Sequence, residues 1–299
     1  MSAPLETVAL GKRFHGTWAL RDCSLSIPPG TVVGLTGPNG AGKSTLLALA
    51  VGLLGPSEGT VRVLGRDPRH EIGVLAEIGY VAQGAPLYRP FTVQEMLDFA
   101  RATNVRWDVS LAEELLGPLP MQARVSTLNP GERSRLALAL ALGKRPKLLL
   151  LDEPFARLDP LAGRAFLQVL MDGAAETGAT TVIASRVVTD IERVCERIVL
   201  LGDGGVRLDG TVEELLERHR LLTGSRRPLG RIRGVESIVR ASHSGRQLTL
   251  LVRTNGTVLD PSWSVGEIGL EELLLAYMAP SEGLPSPRPP EPSRLRWHG

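Results

Sequence analysis

Gly37-Pro38-Asn39-Gly40-Ala41-Gly42-Lys43-Ser44-Thr45 is the stretch that decides the fold of this chain. It matches the pattern G-x-x-x-x-G-K-[ST] and lies between a β-branched run, residues 31–36, and an apolar helical pattern, residues 44–53. Glycines let the backbone curve so that its N–H groups face one anion, and the helix N-terminus adds positive potential. The stretch therefore predicts a phosphate-binding loop, in which Lys43 reaches the β- and γ-phosphates and Ser44 ligates Mg²⁺.

A second motif, residues 148–154, supplies acidic groups for the same site. Four consecutive leucines predict a buried strand, and Asp152 and Glu153 follow directly. An acid at the end of such a strand lies beside the metal, so we expect Asp152 to hold Mg²⁺ through water. Glu153 is then predicted to orient or activate the attacking water. Two solvated acids that cap a strand are the alternative, which the upstream phosphate loop disfavours.

The rest of the chain indicates an α/β protein with a small C-terminal addition. Short apolar runs at residues 180–184 and 198–201 predict further buried strands, and together with the helical patterns they favour a largely parallel sheet. Residues 235–253 are typical of a hairpin, and residues 270–278 predict a short helix. From residue 280 onward, repeated prolines predict a disordered tail that runs to residue 299.

Composition excludes several classes of protein. The 299 residues carry a net charge of +2, which argues against a dedicated nucleic-acid-binding protein. Two cysteines are too few for a disulfide framework and fit a reducing compartment. The sequence has neither an uninterrupted apolar stretch long enough to span a membrane nor an N-terminal signal peptide, so we expect a soluble intracellular protein.

Further motifs complete an ordered series: Ile78-Gly79-Tyr80-Val81-Ala82-Gln83 and Ala156-Arg157-Leu158-Asp159. With these, the chain resembles the ATP-binding subunit of an ABC (ATP-binding cassette) transporter. The resemblance implies a P-loop NTPase cassette over residues 1–222, with a RecA-like parallel core, an antiparallel β subdomain and a helical subdomain inserted at about residues 85–145. Residues 223–279 would then form a small α+β extension.

The resemblance also assigns roles to single residues. It implies that the whole loop from Gly37 to Thr45 contacts ATP and that Gln83 contacts Mg²⁺ and senses a transmembrane partner, although an ordinary surface glutamine is the simpler interpretation. Phe14 lies where the family stacks an aromatic ring on adenine, and a core phenylalanine is the alternative. Asp159 is expected at the seam between two cassettes, with a solvated helix cap as the competing interpretation.

Two motifs depart from the family. The signature that clamps the γ-phosphate of the opposite subunit usually reads Leu-Ser-Gly-Gly-Gln, and here it reads Leu128-Asn129-Pro130-Gly131-Glu132. Asn129 and Gly131 keep groups that donate hydrogen bonds, but Pro130 has no N–H. Glu132 brings a negative charge near a polyphosphate unless it points away. We therefore expect a weakened clamp.

The second departure is Arg186, which stands where the family carries a histidine that contacts the γ-phosphate. Arginine is longer, forked and permanently charged. It either binds the γ-phosphate as an arginine finger does or turns out to solvent, and the sequence leaves both arrangements open. With the departures in the signature, this substitution predicts an ATPase that binds ATP well and hydrolyses it slowly.

The resemblance implies a function and partners. It implies the ATP-hydrolysing subunit of a transporter, similar to single-cassette bacterial exporters, that uses ATP and Mg²⁺ and pairs with a second cassette as a homodimer or heterodimer. A separate transmembrane permease subunit would hold it at the inner face of the cell membrane. A hydrolysis-impaired regulatory subunit paired with an active cassette is the alternative. A chromosome or repair ATPase is disfavoured, because residues 46–127 contain neither heptads nor cysteine pairs.

Overall fold

The structure is a computed structural model that describes residues 2–226 and 232–279. Its strands, in chain order, are β1 (Leu5–Phe14), β2 (Thr17–Ile27), β3 (Val32–Thr36), β4 (Glu58–Val63), β5 (Ile78–Val81), β6 (Leu148–Asp152), β7 (Thr180–Ala184), β8 (Arg197–Gly202), β9 (Gly205–Thr211), β10 (His219–Ser225), β11 (Val235–Ser244), β12 (Gln247–Thr254) and β13 (Ser264–Gly266). Its α-helices are α1 (Lys43–Ala50), α2 (Val93–Thr103), α3 (Val109–Leu116), α4 (Pro130–Leu142), α5 (Pro160–Thr177), α6 (Val188–Glu192), α7 (Val212–Glu217) and α8 (Leu270–Met278). Two short 3₁₀ helices cover Ile72–Glu77 and Val125–Thr127.

The central sheet has six strands in the order β5-β6-β7-β3-β8-β9. The first five are parallel, and β9 pairs antiparallel with β8. Every residue of β3, β6 and β7 is buried, as parallel strands covered on both faces require. The strands predicted from the apolar runs are therefore confirmed, and so is the α/β class.

A three-stranded antiparallel sheet in the order β2-β1-β4 lies on the other side of α1. Leu46, Leu47 and Leu49 of α1 are fully buried in the core that joins the two sheets. This helix ends at Ala50, three residues before the predicted end, because Gly52 adopts a φ of 72°. A residue in the left-handed region breaks the helical hydrogen-bond pattern, so the helix cannot continue.

The segment between β5 and β6 is mainly helical and contains α2, α3 and α4. This is the interval in which the resemblance places an inserted helical subdomain. The carboxylate of Glu77 ties it to the rest of the protein through ion pairs with Arg66, Arg106 and Lys147. Hydrogen bonds from Lys147 and Arg66 lower the pKa of Glu77 to about 2.

A separate antiparallel sheet, in the order β11-β12-β10-β13, forms the C-terminal part. The predicted hairpin is present as β11 and β12, and the predicted helix is α8. The expected domain boundary at residue 222 falls inside β10, which pairs with β12 and β13. Strand pairing therefore places residues 219–225 in the C-terminal sheet, and the exact domain boundary stays a prediction.

Three further expectations concern the C-terminal tail, the cysteines and membrane-spanning helices. The predicted disordered tail, residues 280–299, lies outside the described residues. Both cysteines are buried free thiols, Cys23 and Cys195, and burial raises the pKa of each. In the ranges that the structure covers, every helix is too short or too polar to cross a bilayer.

Candidate nucleotide site

The phosphate loop joins β3 to α1 with a backbone that only glycine accommodates at two positions. Gly37 and Gly42 have φ values of 148° and 98°. A Cβ at Gly37 would collide with the carbonyl oxygen of Leu201, and one at Gly42 would collide with the carbonyl oxygen of Ala19. The predicted strand, loop and helix are thus all present, and the loop forms the cradle that a phosphate group requires.

Lys43 lies inside this cradle. Its ammonium donates hydrogen bonds to the carbonyl oxygens of Gly37, at 2.7 Å, and Pro38, at 3.2 Å. Burial lowers the pKa of Lys43 and Arg186 adds to this effect, whereas the carboxylates of Glu153 and Asp152 oppose it. The side chain therefore sits at the start of the helix with two acids nearby, as a phosphate ligand in this fold requires.

Ser44 and Asp152 meet although 108 residues separate them in the chain. The Ser44 hydroxyl donates to Oδ1 of Asp152 at 3.0 Å. Asp152 ends β6 and is buried, and burial raises the pKa of its carboxyl group, while the bond from Ser44 and the charge of Lys43 oppose the rise. A hydroxyl and a carboxylate beside a phosphate cradle fit Mg²⁺, which takes one or two protein oxygens and completes its shell with phosphate and water.

Glu153 has an unusual backbone conformation for its residue type. Its φ is 48°, in the left-handed region, which costs a residue with a Cβ about 1 kcal/mol. Its N–H donates to the carbonyl oxygen of Ala184 at 2.8 Å, which fixes it to the end of β7. The Glu153 carboxylate interacts electrostatically with Lys43, which places it beside the phosphate loop.

A small cavity of about 30 Å³, large enough for a water molecule, lies against Glu153. Gln83, Pro130, Arg133 and Arg157 also line it. Sequence reasoning did not single out Arg157, whose guanidinium lies close to Gly84 and brings a cation to this cavity. The sequence could have pointed to Arg157, because this residue lies inside the motif that ends at Asp159.

Gln83 and Phe14 both lie at the surface. Gln83 follows β5 and is exposed, next to the cavity beside Glu153. Phe14 ends β1 and remains 40% exposed, so it is not a core residue. The ammonium of Lys12 lies 5.1 Å from the centre of its ring. An exposed aromatic ring with a cation nearby is suited to stacking on a nucleobase.

The altered signature forms the start of α4. The Asn129 carboxamide oxygen accepts the N–H of Glu132 at 2.9 Å, and the Glu132 carboxylate accepts the N–H of Asn129 at 2.8 Å. Pro130 occupies the first turn, where its missing N–H would have had no helical partner. The Glu132 carboxylate therefore folds back on the N-terminus of α4, where it accepts the N–H of Asn129.

Asp159 and Arg186 complete the set of predicted residues. Asp159 caps α5, because its Oδ1 accepts the N–H groups of Leu161 and Ala162, both at 2.9 Å. Arg186 lies between β7 and α6 with an exposed side chain, and its charge acts on Lys43. The site thus gathers at the carboxyl ends of β3, β6 and β7, with the signature on the separate helical segment.

An apolar groove of about 480 Å³ lies between the central sheet and the helical segment. Its lining comes from the residues just after α1, the 3₁₀ helix Ile72–Glu77, β5, the loop after β5, and α4; it includes Leu53, Leu75, Tyr80, Leu87, Ala137 and Leu140. Leu53 is 70% exposed, which is unusual for a leucine beside other apolar side chains. A groove of this kind suits an apolar helix from a partner.

Comparison with known proteins identifies the family. The family model for ABC transporters matches residues 20–156. The ABC transporter ATP-binding protein YtrB of Bacillus subtilis is 32% identical over 217 residues, which cover 72% of this chain and 74% of YtrB. The bacitracin transport ATP-binding protein BcrA of Enterococcus faecalis is 31% identical over 278 residues, covering 91% of this chain and 89% of BcrA.

Solved structures agree with these matches. CbiO1 of Clostridium perfringens, part of the ABC transporter complex CbiONQ, is 28% identical with a TM-score of 0.64 and covers 73% of this chain and 92% of its own. A structure described as the ATP-binding subunit of an ABC transporter has a TM-score of 0.63 at 27% identity, and it covers 71% of this chain and 92% of its own. This chain therefore belongs to the ATP-binding subunits of the ABC transporter family, with one cassette of the P-loop NTPase fold.

Proposed function

We propose that the chain hydrolyses ATP to energise an exporter whose membrane-spanning part is a separate permease subunit. The observation that carries this proposal is the meeting of Lys43, Ser44, Asp152 and Glu153 at one edge of the central sheet. Those groups supply a phosphate ligand, a metal-binding pair and a base for water. No other arrangement of the described side chains offers phosphoryl-transfer chemistry of this kind.

Each residue has a defined task in this proposal. The loop from Gly37 to Thr45 holds the phosphates, and Lys43 leaves the carbonyl oxygens of its own loop for the β- and γ-phosphates. Mg²⁺, held by Ser44 and through water by Asp152, with Gln83 as a further ligand, neutralises phosphate charge. The Glu153 carboxylate accepts a hydrogen bond from the attacking water and orients it toward the γ-phosphate.

Three further residues act from the periphery of this site. Phe14 stacks on adenine, an assignment that its exposed ring supports. Arg186 donates to the γ-phosphate, and the action of its charge on Lys43 supports that position. The Glu153 cavity receives a water molecule between the two sides of the site.

A second cassette completes the site. Asn129 and Gly131 of one subunit face the γ-phosphate held by the other, and Asp159 lies at the seam. ATP drives closure because it binds the closed dimer more tightly than the open one, which requires only a difference in affinity. Hydrolysis or product release then reopens the dimer.

The permease docks in the apolar groove beside Leu53. Closure of two cassettes moves the helical segment, and the groove transmits that movement because its walls belong to both the core and α4. Association with the permease places the chain at the cytoplasmic face of the membrane. The near-neutral charge of the whole chain, +2, gives no support for nucleic acid as a partner.

Two relatives support the proposed type of transporter: LptB is named for export, and BcrA for bacitracin transport. BcrA, named for bacitracin transport, also matches most of the C-terminal extension, because it covers 91% of this chain. The lipopolysaccharide export protein LptB of Acidithiobacillus ferridurans is 33% identical over 228 residues. Relatives named for sulfate and methionine import match 70–72% of the chain. The match that includes the extension favours the antibiotic-transport type.

ATP turnover by the purified chain tests the enzymatic part of this proposal. Glu153→Gln should lower turnover at least 100-fold and retain ATP binding, because the base is lost and the phosphate ligands remain. Glu113→Gln, which changes an exposed carboxylate on α3, is the control and should turn over normally. Equal turnover by the Glu153→Gln and Glu113→Gln variants would disprove the role of Glu153.

Co-purification tests docking. The partner used is a membrane protein with about six spans that is encoded by a gene next to that of this chain. Leu53→Asp places a charge in the groove and should abolish co-purification. Val105→Asp makes the same change at a residue that is 95% exposed and lies outside the groove, so it should have no effect. Equal co-purification of both variants would place the permease elsewhere.

The second candidate function is a hydrolysis-impaired nucleotide-binding subunit paired with an active cassette. The observation that favours it is the Glu132 carboxylate at the start of α4, together with Arg186 in place of histidine. This candidate predicts ATP binding with turnover that stays unchanged in the Glu153→Gln variant. It also predicts co-purification with a different ATP-binding subunit, whereas the first candidate predicts turnover by the chain alone.

A further inference from the structure

Helix α6, which begins two residues after Arg186, packs directly on the strand that leads into the phosphate loop. Ile191 of α6 is fully buried, and its Cδ1 lies 3.1 Å from the position that a Cβ would take on Gly34 of β3. Gly34 therefore has no side chain because α6 occupies that space. Any shift of α6 is limited on this side by β3.

The C-terminal extension also contacts α6. Helix α8 packs against α6, and Leu273 and Leu274 of α8 are fully buried in the same apolar core as Val188 and Ile191. Because α6 contacts both β3 and α8, its position depends on where α8 lies. The extension and the phosphate-loop strand thus hold one short helix between them.

A buried hydrogen-bonded pair fixes α8 to the sheet of the extension. His219, at the start of β10, donates from Nδ1 to the carbonyl oxygen of Leu215 at 2.6 Å. Its Nε2 then accepts from the Tyr277 hydroxyl of α8 at 2.8 Å. Burial lowers the pKa of His219, which agrees with the neutral ring that this pattern requires. The pair joins residues 58 positions apart and gives α8 a defined place.

The connection from β7 to α6 is short, residues 185–187, and hydrogen bonds hold it at both ends. Ser185 donates its N–H to the carbonyl oxygen of Leu35 at 3.0 Å, and its hydroxyl accepts the N–H of Val187 at 3.1 Å. Arg186 is the one residue between these two anchors. The direction in which its side chain leaves the backbone is therefore set by β7 on one side and by α6 on the other.

We propose that the C-terminal extension positions Arg186 through the contact of α8 with α6 and in this way sets the rate of ATP hydrolysis. The proposal rests on the γ-phosphate contact assigned to Arg186 above. It makes Leu274 and Tyr277 positioning residues, which touch no nucleotide and act through Arg186. In this proposal the extension controls the position of Arg186, a role that the cassette fold alone does not provide.

A double-mutant cycle in the full-length chain tests this inference. Leu274→Ala removes packing between α8 and α6 and should lower kcat about tenfold with little change in KM for ATP, since misplacing a catalytic group affects the reaction more than binding. Arg186→Ala should lower kcat by a similar factor. The double variant should be no slower than Arg186→Ala alone, because Leu274 acts only through Arg186.

Leu248→Ala is the matched control. It truncates another buried leucine of the extension, but this one belongs to the core on the other face of the sheet, with Leu222 and Trp263. We expect it to lower the thermal unfolding temperature by an amount similar to that for Leu274→Ala and to change kcat less than twofold. Tyr277→Phe, which keeps the ring and removes the hydroxyl, serves as a milder variant and should lower kcat severalfold even if Leu274→Ala fails to fold.

The outcomes separate the two proposals. Multiplying losses in the double variant, or an unchanged kcat in folded Leu274→Ala and Tyr277→Phe variants, would overturn the positioning role while leaving Arg186 at the γ-phosphate. An unchanged kcat in Arg186→Ala would overturn the role of Arg186 itself, and with it this inference. A loss of kcat in Leu248→Ala as large as in Leu274→Ala would show that general destabilisation is the cause.

Discussion

The two sides of the nucleotide site differ in how far they keep the chemistry of the family. On the side of the phosphate loop, Lys43, Ser44 and Asp152 contact one another or the loop as ATP binding requires. On the separate helical segment, which faces a second cassette in the proposed function, the Glu132 carboxylate occupies the start of α4. Under the proposed function, binding of ATP and its use across a dimer would depend on separate residues, and these residues can change independently.

The largest effect should come from the phosphate-loop side. Lys43→Ala removes the only ammonium in the described part of the cradle and should weaken ATP binding about 100- to 1,000-fold, because a buried cation that faces phosphate contributes several kcal/mol. Binding of a fluorescent ATP analogue measures this change. Arg101→Ala, which removes an exposed cation from α2, is the control. Near-normal affinity of Lys43→Ala would mean that the two sides do not differ as described.

The ion pairs of Glu77, which link the helical segment to the rest of the protein, should make its stability sensitive to acid. Glu77 has a pKa of about 2 in the folded protein, against an ordinary 4.5. A lowered pKa stabilises the fold above pH 4.5, and this contribution is lost as the pH falls toward 2. Because Lys147 and Arg106 are more than half exposed, we expect a loss of about 2 kcal/mol rather than the full amount.

Urea unfolding at pH 6 and pH 3 measures this dependence. The Glu77→Gln variant should be less stable at pH 6 and show a weaker dependence on pH, because its amide does not titrate. The same pH dependence in the variant and the original chain would assign the acid sensitivity to other carboxylates.

A smaller effect is expected on the side that faces the second cassette. Glu132→Gln keeps the hydrogen bond to the N–H of Asn129 and removes the charge that competes with phosphate. ATP-dependent dimerisation of the Glu153→Gln background should become about five- to tenfold tighter, equivalent to about 1 kcal/mol. Analytical ultracentrifugation with and without ATP gives the dimer dissociation constant.

Helix α2 offers a matched control for this change. Thr92 and Glu95 form the same reciprocal pair of hydrogen bonds at its start, on a helix away from the phosphate loop. Glu95→Gln should therefore leave dimerisation unchanged. Tightening by both substitutions would attribute the effect to net charge and not to the position of Glu132.

The smallest effect concerns Asp159. Asp159→Ala should lower the free energy of unfolding by about 0.5–1 kcal/mol, because two N–H groups at the start of α5 lose their acceptor. Asp159→Asn keeps the cap and should preserve stability. Thermal unfolding measures both variants. A change in ATP-dependent dimerisation in Asp159→Asn would show that the residue acts at the seam through its charge as well as through the cap.

Much of the central sheet and the phosphate loop could be predicted from local sequence. Buried parallel strands appear as continuous apolar runs, and a glycine-rich loop after such a run has few other structures open to it. The reciprocal bonds between Asn129 and Glu132 could also have been predicted, since a cap followed three residues later by glutamate is a known helix start. Arg157 was missed because its neighbour across the cavity, Gly84, is distant in the chain.

The sequence by itself determined the loop, the acids and the single buried strands, because each depends on residues close together in the chain. Tertiary structure alone decided three other features: the meeting of Ser44 with Asp152, the membership of β10 in the C-terminal sheet, and the hydrogen bond between His219 and Tyr277. These contacts join segments separated by as many as 108 residues. Their existence depends on how whole elements pack, and no local pattern of residues records that packing.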